Sequence, residues 1–311
     1  MRTLRALLIY IIAAFIGGAL LAPPLYWLIQ SLAHHFPDFF SHGFASVVAA
    51  APFHRIVNRC ILIIALTGLW PLVKNLGYAS MAEVGLVRPH GQMKKFASGF
   101  LLGLISLAII AAIAFGCHAR QMNPKLSGGT IAKRVLQAAG AAAVIATMEE
   151  LLFRGALFGA LRKVFDWVFA LVISSVFYAV MHYFESAQDV PGPVTWLSGL
   201  QLLPLMFGNL GNFQAVVPGI FNLTLAGMLL AWAYQKTGNL YFSIGLHMGW
   251  IFWVKAYALV TTHTPNVDRW WWGTGRMAIV NGWVALPVLV ATLLVFGWKT
   301  YSIKPRPQGA Q

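Results

Sequence analysis

The decapeptide ATMEELLFRG places Glu149, Glu150 and Arg154 inside a run of alanine, leucine, phenylalanine and glycine, in a chain with only eight acidic residues. Burying an ionisable side chain at the middle of a membrane helix costs about 2.5–3.5 kcal/mol, so such groups mark functional sites by default. On a helix Glu150 and Arg154, four residues apart, share a face within ion-pair reach. Glu149 is rotated by about 100° from Glu150 and lies off that face. The pattern has two chemical meanings. The three groups could form one buried ion cluster that locks the helix against its neighbours. Alternatively, Glu150 and Arg154 pair and leave Glu149 for proton transfer, because a carboxylate in a low-dielectric cavity suits general-base work. A base needs company, and two histidines sit in apolar sequence: His182 ends FALVISSVFYAVMH and His247 lies in LYFSIGLHMGWIFW. Two imidazoles on separate helices, with a buried glutamate, point to a polar site rather than to packed core residues. Lys255, two turns beyond His247, either joins that site or snorkels toward a membrane boundary.

The elements that must carry these groups follow from composition. Of 311 residues 59% are hydrophobic and 10% charged, and the mean hydropathy is +0.71. A soluble domain of this length could not hide so much apolar surface, so the expectation is an all-α, polytopic transmembrane bundle. Runs long enough to span occur near 4–30, 56–74, 96–117, 135–161, 165–183, 213–235, 239–260 and 277–298, which predicts about eight helices in one domain over 1–311. The first run resembles a signal peptide but is too long for one and has no clear cleavage site, so it reads as an anchor. Residues 31–55, rich in His and Phe, read as an interfacial stretch. Residues 184–212 are broken by Pro and Gly and read as a loop or half-inserted segment.

The net charge of +14 belongs to the membrane rather than to nucleic acid, because many of the cations flank apolar runs. With the N-terminus in the cytoplasm, that side collects Arg2, Arg5, Lys74, Arg88, Lys94, Lys95, Arg162, Lys163, Lys236, Lys299, Lys304 and Arg306. The other side holds Arg55, Arg59, Arg120, Lys125, Lys133, Arg134, Arg269 and Arg276, together with the acidic Glu185 and Asp189. The excess favours both termini in the cytoplasm of a multi-pass protein of the plasma (inner) membrane. Cys60 and Cys117 give neither a disulfide framework nor a CxxC pair and read as inert buried thiols.

Glu-Glu-x-x-x-Arg on one helix, Tyr178-x-x-x-His182 on the next, and His247 after AGMLLAWAYQKTGNLYFSIGLH resemble the CPBP family of CAAX-processing and bacteriocin-related (Abi) intramembrane proteases. The resemblance covers about 130–258, which it marks as the catalytic core helices. It implies an intramembrane endopeptidase acting on a membrane-associated or lipid-modified protein. In that reading Glu149 activates water, His182 helps orient it, Glu150 and Arg154 support the site, and His247 stabilises the oxyanion. Two positions depart from the family pattern. Tyr178 stands where relatives usually have Phe, and Ile251 stands where they have Asn or Asp four residues after the last histidine. Isoleucine cannot donate to an oxyanion, so either one oxyanion donor is missing or another group replaces it, such as the Trp250 indole or Asn222.

Other protease chemistries fit less well. No HExxH occurs, the one aspartate in an expected span, Asp166, stands at its edge without a second for an aspartyl pair, and Ser198 in TWLSGL lacks a GxSG context. The expected mechanism uses no cofactor. The alternative is a zinc ion held by Glu149, His182 and His247. A non-catalytic immunity or interaction protein, or a proton-coupled transporter, is the alternative function, motivated by Ile251.

Overall fold

The computed structural model of the protein describes residues 1–124, 126–184 and 190–301; the side chains of Asn209, Ala215 and Arg276 also lie outside the description. Lys125, Glu185, Asp189, Lys304 and Arg306, used above to read orientation, are therefore outside the described residues.

The helices run in the order α1 (Arg2–His35), α2 (Pro37–Phe40), α3 (Gly43–Ala49), α4 (Phe53–Asn75), α5 (Met93–Gly116), α6 (Gly128–Glu150), α7 (Gly159–Leu161), α8 (Trp167–Met181), α9 (Ser198–Leu205), α10 (Phe213–Thr237), α11 (Tyr241–Val260), α12 (Arg269–Trp272) and α13 (Ala285–Thr300). Two three-residue strands, β1 (Arg120–Met122) and β2 (Thr261–His263), pair antiparallel with Arg120 opposite His263. A π-helical segment, Leu151–Phe158, joins α6 to α7 without a break. Among the described residues five helical stretches are long and apolar enough to cross a membrane: Arg2–His35, Phe53–Asn75, Met93–Gly116, Gly128–Leu161 and Val216–Thr237. Trp167–Met181 and Ala285–Thr300 are shorter apolar helices. The chain is thus an all-α, multi-pass membrane protein, and a helix stands at each of the eight expected runs. The last one starts at Ala285 rather than near 277, because a 3₁₀ turn over Gly275–Met277 and further turns occupy the approach.

Two compact units can be distinguished in the chain. One comprises Met1–Leu76 with Met181–Gly211, the other Gly77–Val180 with Asn212 onward. In the first unit α1 and α4 pack side by side, and the Tyr10 hydroxyl donates to the Ala65 carbonyl at 2.6 Å. Phe53, Ile56, Val57 and Cys60 bury against Ala22 and Leu202. Cys60 is an enclosed thiol as expected, whereas Cys117, at the end of α5 in the second unit, is exposed. The helix terminates there and leaves the cysteine on its rim. The broken segment after α8 contributes α9 and a 3₁₀ turn over Gly208–Gly211.

The second unit holds the acidic pair. Its most extensive helix pairing is between α5 and α11, and the reason lies in two matched sequences, GFLLG (99–103) and GLHMG (245–249). An added Cβ at Gly99 or Gly103 would collide with the carbonyls of Phe242 or Leu246. One at Gly245 would meet the Phe96 carbonyl, and one at Gly249 would come within 2.7 Å of the Phe100 carbonyl. Small residues four apart on both partners let the backbones touch, the usual device of close membrane helix pairs. Helix α6 packs against α11 as well, and its buried face is the four-residue ladder Ala138, Ala142, Ala146, Glu150. The ladder of methyl groups brings α6 close, and its last rung is a carboxylate.

Candidate active site

His247 sits midway between Gly245 and Gly249. Two residues in either direction turn a helix by about 200°, so with the glycines against α5 the imidazole projects from the opposite side of α11. There it meets the end of α6. Its Nδ1 lies 2.8 Å from Glu150 Oε1, which also accepts from Arg154 Nη1 at 2.9 Å. All three groups are buried: Glu150 is 0%, Arg154 2% and His247 3% exposed. The expected (i, i+4) pair is therefore formed, and it reaches a second helix that spacing alone did not reveal.

The other ring nitrogen faces different groups. His247 Nε2 lies 3.2 Å from the Tyr178 hydroxyl and 3.6 Å from Glu149 Oε2. Tyr178, on α8, is itself buried; its ring carries the Arg154 guanidinium 4.2 Å above the centroid and meets Phe153 edge-on at 5.1 Å. A quarter of the Glu149 side chain is exposed, against none of Glu150. The rotation between neighbouring helix positions thus sorts two identical residues: one carboxylate closes inside the α6–α11 contact, and the other opens outward beside the same imidazole.

The cluster is not saturated as a structural ion pair would be. Glu150 Oε2 and Arg154 Nη2 are buried without a hydrogen-bond partner among the described residues. A buried pair kept for stability alone needs its remaining lone pairs and protons met. The π-helical turn begins at the residue after Glu150, and such turns are frequent at functional sites.

Both substitutes expected for the missing oxyanion donor are committed elsewhere. The Trp250 indole N–H donates to Ser106 Oγ on α5 at 2.9 Å, 144 residues away in sequence. Asn222 Nδ2 donates to the Val280 carbonyl at 2.8 Å and the Gly282 carbonyl at 2.9 Å, holding the turn that precedes α13. An indole has one N–H and a carboxamide two, so neither retains a donor for the site. Ile251 follows His247 by one turn of α11 and adds no polar group. Lys255 stands two turns past His247, about 12 Å along the helix axis, and so is displaced from the cluster. His182 immediately follows α8, one turn beyond Tyr178 in the chain, and belongs to the first compact unit. Glu149 and His247 offer two donors for a metal, and among the described residues no group of three His, Cys, Asp or Glu side chains is placed to hold an ion.

Residues 131–253 match the family model described as Rce1-like, type II CAAX prenyl endopeptidase. No curated protein and no solved structure matches the chain. The matched span begins near the start of α6 and ends six residues past His247, so it contains Glu149, Glu150, Arg154, Tyr178, His182 and His247 together. Over these residues the chain is similar to the CAAX protease (CPBP) family.

Proposed function

We propose that the protein is an intramembrane endopeptidase in which Glu149 activates the attacking water, acting on a membrane-associated protein with a lipid-modified, prenyl-type tail. The observation that carries the reading is the position of Glu149: partly exposed, yet 3.6 Å from an imidazole whose far nitrogen is held by a fully buried carboxylate. Hydrolysis needs a base for the water and a donor for the charge that develops on the carbonyl oxygen. Glu149 takes a proton from water as its oxygen bonds to the scissile carbonyl carbon, and the C=O electron pair moves onto oxygen. The tetrahedral intermediate collapses by breaking the C–N bond, and the departing amine receives the proton from Glu149.

His247 would stabilise the oxyanion through Nε2. With its Nδ1 proton donated to Glu150, the ring is a donor at Nε2 only when doubly protonated. In that state the cluster is balanced, with Glu149 and Glu150 negative and Arg154 and His247 positive, as a buried set of charges requires. Glu150 and Arg154 then orient the imidazole rather than touch substrate. Both termini are proposed to face the cytoplasm of the plasma membrane.

The test is cleavage of a farnesylated, internally quenched peptide by the purified full-length protein in phospholipid vesicles. Glu149→Gln keeps the shape of the side chain and removes the base. It should lower kcat by about 10²–10⁴-fold, the usual contribution of a positioned base, while the protein unfolds at the wild-type temperature. Undiminished cleavage by the variant would reject the base assignment. Proton-coupled flux in the same vesicles, without cleavage, would instead support the transporter reading.

A further inference from the structure

Two polar oxygens crowd one nitrogen. Around His247 Nε2 stand Glu149 Oε2 at 3.6 Å and the Tyr178 hydroxyl at 3.2 Å, so base, imidazole and phenol face one small volume. The phenol is not held there by its hydroxyl alone. Its ring is fixed by the guanidinium of Arg154 and by the edge of Phe153, and the whole residue is 2% exposed. An aromatic ring locked on both sides presents its O–H with little orientational freedom, which is what a preorganised donor requires. The residues that would otherwise be expected to donate, Trp250 and Asn222, spend their hydrogens on Ser106, Val280 and Gly282.

We propose that the Tyr178 hydroxyl is a catalytic residue of this enzyme: it donates a hydrogen bond to the oxyanion beside His247 Nε2, supplying the donor that Ile251 cannot. The inference rests on the endopeptidase reading above and assigns one of its two oxyanion donors. The imidazolium Nε2–H and the phenol O–H carry one hydrogen each, so both serve the oxyanion once it takes the place of their mutual 3.2 Å contact. No bond to Tyr178 forms or breaks; the phenol lowers the energy of the charge without taking part in the proton transfers.

The experiment uses the full-length protein in phospholipid vesicles and the farnesylated quenched peptide, comparing wild type, Tyr178→Phe, Tyr178→Phe/Ile251→Asn and Glu149→Gln. Phenylalanine keeps the ring that Arg154 and Phe153 hold and deletes only the hydroxyl. Loss of one oxyanion donor lowers kcat by about a hundredfold. KM should stay within about twofold, because the interaction is made in the transition state. Asparagine at 251, one turn past His247 on the same face of α11, returns a donor and should recover about tenfold of that loss. A contact that merely packs the helices would not be rescued from a different helix. Incorporation of 3,5-difluorotyrosine at 178 preserves the shape and makes the phenol a stronger donor, so kcat should rise while KM stays within about twofold. This arm reads the hydroxyl even if Tyr178→Phe fails to fold. Wild-type kcat in Tyr178→Phe, or an unchanged kcat in the fluorinated protein, overturns the tyrosine assignment. If Glu149→Gln is inactive at the same time, the endopeptidase reading survives that result. Full activity in Glu149→Gln, or no cleavage by wild type, overturns both.

Discussion

Among the described residues of the second unit two arginines are buried, and their surroundings differ in an instructive way. Arg120, on β1 just past the end of α5, is held by neutral groups: its Nε and Nη2 donate to Thr261 Oγ1 at 3.1 and 2.6 Å, and Nη2 also reaches the Thr261 carbonyl. Its guanidinium lies 4.6 Å from the Tyr257 ring. Arg154, within a membrane-spanning stretch, has a tyrosine ring too, but it has a carboxylate partner, and that carboxylate is shared with a histidine. The first arginine ties a two-stranded ribbon to the end of α11. The second belongs to a four-group charge system one member of which is exposed. A buried cation over an aromatic ring is therefore not what marks the site. The mark is the second carboxylate, placed off the shared face and beside the same imidazole.

That contrast can be sharpened by substitution. Arg154→Met should have the larger effect on folding, because it leaves Glu150 buried with one partner gone; losses of about 3–5 kcal/mol are usual for such a change. Thermal unfolding in detergent should show it, along with loss of cleavage. Thr261→Val removes the hydroxyl that accepts from Arg120 and should cost about 1–3 kcal/mol, with cleavage of the quenched peptide unchanged. If Thr261→Val abolished cleavage while folding normally, the division between a structural and a chemical arginine would fail.

A smaller effect concerns pH at the ribbon. His263, opposite Arg120, is kept below the ordinary histidine range first by burial, then by the nearby charges of Arg120 and Arg269. Its Nδ1 is buried with no hydrogen-bond partner among the described residues. The folded protein thus disfavours the charged ring, and the contribution to stability is complete above the unfolded value of about 6.5. It declines as pH falls through the lower folded value. His263→Gln should flatten this acid-side slope in the unfolding temperature between roughly pH 5 and 7, with the profile above pH 7 unaltered.

How much of this was readable in advance depends on range along the chain. The Glu150–Arg154 pair is a four-residue relation and follows from helix geometry, as does the separation of Glu149 from it. The eight helical runs follow from hydropathy. Contact between Glu150 and His247 is a relation across 97 residues and appears only when α6 and α11 pack. A signal for half of that packing was present in GFLLG and GLHMG, whose matched glycines announce a close helix pair and fix which way His247 turns. Trp250 and Asn222 could not be assigned from type and order, because what disqualifies them is a partner 144 or 58 residues away. The π-helical turn after Glu150 has no sequence signature in this stretch, where every residue is compatible with an ordinary helix except for Gly155, which the approach of Val84 explains.

The most direct test of the central claim is a double-mutant cycle on kcat with Glu149→Gln, His247→Gln and the two combined, in vesicles with the farnesylated peptide. Groups that act as a unit on one water give strongly non-additive losses, so the double variant should be about as slow as the slower single variant. If the two losses instead multiply, Glu149 and His247 act independently and the proposed shared site is wrong.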